Sequence, residues 1–300
     1  MLKKAFLVGV NAYANSPLYG CVNDVKAMKE VLKSLYGFTE DNILLLTDKE
    51  GTSKGIVDGL GWLAAGGEEK SIRVFHYAGH GHFSPDDNGD ETDGADEALV
   101  PYDHKKSGYL IDDTLKKLYD RFPANSNLTL IMDCCHAGSN NRGPNDKINF
   151  RFIPPTYVER KAIVAAKKKF HEAQRAFVMQ EVNAFAKVRG RDAEFERRIE
   201  TAMQKFQAAR FGDVRVREGN VLLAACQSDQ QAADAKIGRT FNGAFTCYLV
   251  KVLREANGRI SYRQLIEKVG KELDSHKFVQ VPQLECLAGR DRATAFSLFE

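Results

Sequence analysis

The sequence predicts an α/β protein whose mostly parallel central sheet is covered by helices on both faces, with one helical insert. Three observations predict this. Short apolar runs rich in branched residues recur along the chain without alternating with polar ones, as in strands buried on both faces. Helix-period segments lie between several of these runs, and such βαβ alternation implies parallel strands joined by crossover helices. The chain has 300 residues, 43% of them hydrophobic and 28% charged, which suits a globular protein with a large core.

Taken in order, Ala5 to Val10 reads as the first strand. Two lysines precede it as they would a leader peptide, but the apolar stretch before Asn11 is only about six residues, too short for an h-region. Val22 to Leu35 reads as a helix, Asn42 to Leu46 as a strand, Ser53 to Ala65 as a helix and Ile72 to Tyr77 as a strand. A helix over Asp112 to Arg121 precedes the strand Leu128 to Met132. Val221 to Ala225 is the last strand, followed by helices over Ala244 to Glu255, with Asn242 as the expected cap, and Ser261 to Leu273.

From about Val158 to Arg210 the pattern changes. Phe170, Ala173, Phe177, Ala184 and Val188, then Phe195, Ile199, Ala202 and Phe206, follow 3/4 spacing, which suggests two amphipathic helices broken at Gly190 as an inserted hairpin. The segment carries thirteen Lys and Arg against seven Asp and Glu, so it is strongly basic while the rest is slightly acidic. It reads either as a solvated excursion or as a regulatory or partner-binding arm. The whole-chain charge of +3 argues against nucleic acid as a partner. No apolar run approaches the 18 residues that cross a bilayer, so no membrane partner is expected. The six cysteines lack a C-x-x-C pair and disulfide density, which points to a reducing, cytoplasmic setting.

Two strand ends carry reactive groups: "VFHYAGHGH" at residues 74 to 82 and "LIMDCCHAGS" at residues 130 to 139. Open α/β sheets gather functional groups at the carboxyl ends of their strands. A thiol with an ordinary pKa of about 8.5 becomes a useful nucleophile when an imidazole takes its proton, so Cys134 or Cys135 with His80 forms a candidate dyad. Neighbouring side chains on an extended segment point opposite ways, and only one cysteine should face the site. A cysteine ending a buried strand is ordinarily just a small hydrophobe; the ordered pair of strand ends brings the catalytic reading level with it. Zinc held by Cys134, Cys135, His136, His76, His80 and His82 is disfavoured, because the His76/His80 spacing suits a ligand pair only on a helix.

As a set, "HYAGHG" at 76 to 81 and "DCCHAGS" at 133 to 139 strongly resemble the metacaspases and bacterial orthocaspases. "LYGCVND" at 18 to 24, "DEALVPYD" at 96 to 103 with "LIDD" at 110 to 113, "AACQSDQQAAD" at 224 to 234 with "GAFT" at 243 to 246, and "VPQLE" at 281 to 285 extend the likeness. It covers residues 3 to 150 and 219 to 290 and leaves the insert unmatched. The resemblance implies a caspase-like (caspase-hemoglobinase) fold, with a p20-like portion at 1–150 and a p10-like portion at 219–300 completing one sheet around an insert or linker at 151–218. It implies a monomeric cysteine endopeptidase acting on polypeptides and requiring no cofactor. By motif position, His80 matches the catalytic histidine and Cys135 the nucleophile, with Cys134 in support. The backbone N–H groups of Gly81 and Cys135 would be the oxyanion donors. Asp24 and Asp133 match the acids of the primary specificity pocket, which would admit Arg or Lys and repel acidic side chains. Without the resemblance, Asp24 reads as a helix cap and Asp133 as a strand-end acceptor.

The match departs from the family at several places. Ala78 stands where serine is common, and Ala137 where "HSG" is more usual. Asp96, Asp112 and Asp113 match calcium-binding positions of calcium-activated relatives, but the fourth falls on Arg142, a cation in a shell that needs oxygen ligands. Asp146 is a substitute only if the loop is displaced. Weak or absent Ca²⁺ dependence is therefore expected. The insert falls where relatives cut themselves, so self-cleavage is expected between residues 142 and 219, with Lys167 to Lys169, Arg189, Arg191, Arg215 and Arg217 as candidates, although helical backbone resists proteolysis. Two rival readings are a catalytically silent caspase-like interaction module and a caspase-fold protease with another side-chain preference.

Overall fold

The strongest sequence signal, the run of eight buried residues from Ser71 to Ala78, becomes an interior strand of a six-stranded sheet. The structure is a computed structural model that describes residues 1–66, 70–89, 91–123, 126–135, 148–186, 197–202, 220–227, 230–287 and 289–298. In chain order the strands are β1 (Leu2–Gly9), β2 (Ile43–Thr47), β3 (Ser71–Ala78), β4 (Gly81–Pro85), β5 (Ala95–Leu99), β6 (Leu110–Ile111), β7 (Ser126–Asp133), β8 (Ile148–Phe150), β9 (Asn220–Ala224), β10 (Ala233–Ile237), β11 (Thr240–Gly243) and β12 (Gln283–Cys286). The helices of four or more residues with described bounds are α1 (Cys21–Tyr36), α2 (Ser53–Ala64), α3 (His104–Ser107), α4 (Asp112–Tyr119), α5 (Tyr157–Ala186), α6 (Ala244–Glu255) and α7 (Tyr262–Ser275).

The main sheet runs β12-β9-β7-β3-β1-β2. All its pairings are parallel except β12 with β9. Strands from both sides of the insert thus share one sheet, and β12 supplies an antiparallel edge that the apolar pattern does not reveal. Its four residues are only half-buried, so it has no apolar run to show. Phe6, Leu7, Val8, Val74, Phe75, Leu128 and Ile131 pack in the core with Met28, Leu32, Leu60 and Leu249 from the helices. Gly59 is required where α2 crosses β1, because a Cβ there would run into the Phe6 ring.

Local signals set the helix ends. The Thr52 hydroxyl accepts the Gly55 N–H at 3.0 Å to open α2, and Ser261 with Gln264 forms a capping box on α7. Gly37 closes α1 in the left-handed region at φ 68°. Asn242 does not cap α6. It pairs with Ala235 inside the β10–β11 hairpin and its amide donates to Thr240, while Gly243 occupies the cap position.

The described residues fall into two compact units. One contains Met1–His82, Glu97–Pro154 and the described residues from 220 onward; the other contains Phe83–Asp96 and the described residues between Pro155 and residue 202. In the second unit α5 runs for 30 residues, with Phe170 buried on its apolar stripe. Gly94, at φ 79°, lets its turn pass against this helix, since a Cβ would lie 2.9 Å from Lys167 Cα. Residues 197–202 are also helical, whereas the expected break at Gly190 lies outside the described residues.

Candidate active site

Strand register gathers the reactive groups. Gly9 pairs with Ala78 and Ala78 with Asp133, so the carboxyl ends of β1, β3 and β7 are level. Asn11, His80 and Cys135 therefore leave the sheet at one edge, where open α/β sheets place their ligands. The Asn11 side chain accepts the Cys21 N–H at 2.9 Å and so sets the start of α1, which brings Asp24 in its first turn to the same edge.

His80 is buried and its Nε2 lies 2.7 Å from the Ser16 carbonyl oxygen. A carbonyl only accepts, so Nε2 carries the proton and Nδ1 is left with a lone pair. Among the described residues that Nδ1 has no hydrogen-bond partner. The Tyr13 ring packs 4.5 Å from the imidazole, and the Tyr13 hydroxyl accepts the His80 N–H. Burial pushes the His80 pKa down to about 4, with the Ser16 bond opposing and the Arg151 charge adding to the fall. The Cys135 thiol is fully buried against Ala232, accepting its N–H and lying 3.5 Å from its carbonyl oxygen. No hydrogen bond joins Cys135 to His80 among the described residues. Cys134 is buried beside them.

Asp24 and Asp133 do come together, and the group between them is the chain's own Arg151. Its guanidinium reaches Asp24 Oδ2 at 2.5 Å, Asp133 Oδ2 at 3.0 Å and Asp234 Oδ1 at 3.1 Å, and all four side chains are out of solvent. Asp234 is held by the Tyr19 and Gly20 N–H groups, Asp24 by the Gly243 N–H, and Asp133 by Thr246. Three carboxylates against one guanidinium leave excess negative charge in a dry site, and burial pushes the Asp24 pKa up to about 8 despite Arg151. The cation itself is held firmly charged by its acidic neighbours. Gly243 forms part of the wall; a Cβ there would lie 2.6 Å from the Arg151 guanidinium carbon.

The backbone of Arg151 is seated just as specifically. Its carbonyl oxygen accepts the Gly81 N–H at 2.9 Å and the Cys135 N–H at 3.1 Å. Its own N–H donates to Ala232 at 3.1 Å, continuing the antiparallel pairing of β8 with β10. Beyond it, the Ile153 N–H donates to the Gly81 carbonyl at 3.0 Å. The chain from Ile148 to Ile153 thus runs through the site hydrogen-bonded to Gly81, Cys135 and the β10 segment.

His80, Gly81, Cys135, Asp24 and Asp133 are all assembled here. Asp112 and Asp113 open α4, where the Asp113 N–H donates to Asp112 at 3.0 Å, and Asp96 is buried on β5. Among the described residues no three His, Cys, Asp or Glu side chains gather into a group able to hold a metal ion. Arg142, Asp146, His136 and Ala137 lie outside the described residues. Ser16, Arg151, Ala232, Asp234 and Thr246 are functional neighbours that the residue reading did not single out. Of these, Ala232, Asp234 and Thr246 stood inside quoted motifs, "AACQSDQQAAD" and "GAFT".

The geometry agrees with comparisons to known proteins. The model of the metacaspase, peptidase C14 domain matches residues 3–142. Metacaspase-1 of Scheffersomyces stipitis is 30% identical over 307 aligned positions, spanning 98% of this chain and 73% of that protein. Metacaspase-1 of Schizosaccharomyces pombe is 29% identical, spanning 95% and 67%. Among solved structures, a Geobacter sulfurreducens protein superposes with a TM-score of 0.63 at 23% identity over all of both chains. Caspase-1 from Spodoptera frugiperda superposes with a TM-score of 0.52 at 12% identity over 96% and 87%, which shows that the sheet is that of a caspase. A caspase sheet whose strand ends converge on Cys135 and His80, in a chain alike over nearly its full length to fungal metacaspases, identifies this protein as a member of the metacaspase family of cysteine peptidases.

Proposed function

We propose that this peptidase cleaves polypeptides after Arg or Lys, and that one such bond is its own Arg151–Phe152. The observation that carries the reading is the seating of Arg151: guanidinium among three buried carboxylates, carbonyl oxygen on two N–H donors, backbone paired to β10. Among the described residues, no other candidate basic side chain of the insert has such support. Lys167 to Lys169 lie within α5, whose hydrogen-bonded backbone cannot extend into a cleft, and Arg189, Arg191, Arg215 and Arg217 lie outside the described residues.

In this mechanism the Cys135 thiol leaves Ala232, gives its proton to His80 Nδ1 and attacks the Arg151 carbonyl carbon. The Gly81 and Cys135 N–H groups hold the negative charge that forms on the oxygen. The Ser16 carbonyl keeps the other ring nitrogen protonated and so keeps Nδ1 available. Collapse breaks the bond to Phe152, whose nitrogen takes the proton back from His80, and water then hydrolyses the thioester. No metal or cofactor enters any step.

Intact-mass analysis of incubated wild type tests the reading. Fragments ending at Arg151 and starting at Phe152, absent from Cys135→Ala and from Arg151→Gln, are expected. An intact chain during concurrent turnover of Arg peptides would exclude this bond; turnover of Asp peptides with no turnover of Arg or Lys peptides would exclude the side-chain preference.

A further inference from the structure

We infer that Gly81 and His82 form a primed-side subsite, so that the enzyme reads the substrate backbone two residues beyond the cut. The inference rests on Arg151–Phe152 marking the path of a substrate. On that path Phe152 is the first residue after the scissile bond and Ile153 the second. The Ile153 N–H donates to the Gly81 carbonyl at 3.0 Å, and the Ile153 carbonyl lies 2.8 Å from His82 Nδ1. Because a carbonyl can only accept, Nδ1 is the protonated nitrogen of His82 and donates to it. Both polar groups of one substrate residue are therefore met by adjacent residues of β4.

The subsite is built into the fold. His82 has no solvent exposure, and its ring stacks on Tyr109 with centroids 3.8 Å apart. Gly81 serves both sides of the cut, its N–H on the Arg151 carbonyl and its carbonyl on the Ile153 N–H, and it bridges Phe152 in parallel. Ile153 also borders a cavity of about 400 Å³ lined with Tyr13, Ser16, His104, Lys105 and Tyr109, which leaves room for a large side chain beside it. The occupant is an extended polypeptide with a free backbone N–H at its second primed residue. Proline there removes the donor that Gly81 accepts.

The experiment compares kcat/KM for three substrates sharing the Ile-Asn-Phe-Arg sequence: an internally quenched peptide continuing Phe-Ile, one continuing Phe-Pro, and an aminocoumarin amide with no primed residues. Wild type is expected to cut the Phe-Ile peptide about ten-fold better than the Phe-Pro peptide, the scale of one or two lost hydrogen bonds. The ratio of Phe-Ile peptide to aminocoumarin amide is expected to fall in His82→Phe and to recover in part in His82→Asn, whose amide nitrogen can stand in for Nδ1. Equal cutting of Phe-Ile and Phe-Pro peptides by wild type would overturn the subsite whether or not the His82 variants fold. An unchanged ratio in a folded His82→Phe would overturn the role of His82. Failure to cut any of the three after Arg would instead overturn the reading on which the inference rests.

Discussion

Thr246 holds Asp133 twice, its N–H at 3.1 Å and its hydroxyl at 2.6 Å from Oδ2. The same hydroxyl lies 3.3 Å from His76 Nε2, beneath the sheet edge. Asp133 is thereby oriented toward a basic side chain without the solvent that would normally do so. Thr246→Val keeps the shape and removes the hydroxyl; a hydrogen bond to a charged group is worth about 1.5–3 kcal/mol. A fall in kcat/KM of about ten-fold or more for Arg peptides, carried mainly by KM, is the expected result in steady-state kinetics.

Arg151 occupies the space between Asp24, Asp133 and Asp234, which on the proposed reading is the pocket a second substrate would need. In a Cys135→Ala chain, inactive on that reading, this internal ligand should compete with any added peptide. Adding Arg151→Gln should tighten binding of an Arg-terminated peptide by about ten-fold or more, since the guanidinium no longer occupies the pocket. Calorimetry on the single and double variants measures the difference; equal affinities would mean that Arg151 does not block the site.

Two buried histidines set an acid limit. Burial lowers the His80 pKa to about 4 and the His76 pKa to about 3, both below the ordinary 6.5. Each is neutral when folded and takes up a proton more readily when unfolded. Their stabilising effect is fully present above pH 6.5 and is lost as pH falls toward 4 and 3, at about 1.4 kcal/mol per pH unit for each histidine. Urea unfolding of the Cys135→Ala chain, which on the proposed mechanism cannot cut itself, should give falling midpoints from pH 7 to 5. In His76→Gln, as a partner-keeping replacement, the slope should drop.

Calcium should matter little. Arg142 stands where the resemblance places a fourth acid, and a cation there opposes a site that depends on several oxygens. Arg-peptide turnover in EDTA and in millimolar Ca²⁺ is expected to agree within about two-fold. A large rise with Ca²⁺ that Asp112→Ala abolishes would reverse this expectation.

Much of the centre was legible in the sequence because its signals are local. Apolar-rich runs mark β1, β3, β7 and β9, since a strand covered on both faces is apolar at most positions. Asp24, His80, Gly81, Asp133 and Cys135 were legible through motifs next to those strands. The short strands β8, β10, β11 and β12 were not, because three to five residues carry no period of their own.

The sequence by itself determined the α/β class and placed Cys135 and His80 at two strand ends, and its family resemblance singled out Asp24 and Asp133 beside them. Tertiary structure alone decided that Arg151 meets Asp24 from 127 residues away and that Gly243 meets the same aspartate across 219. It also decided that Ser16 and Ala232 meet His80 and Cys135 through their backbones. The physical reason is common to these cases: a carbonyl or N–H belongs to nearly every residue, and its use depends on where folding carries it.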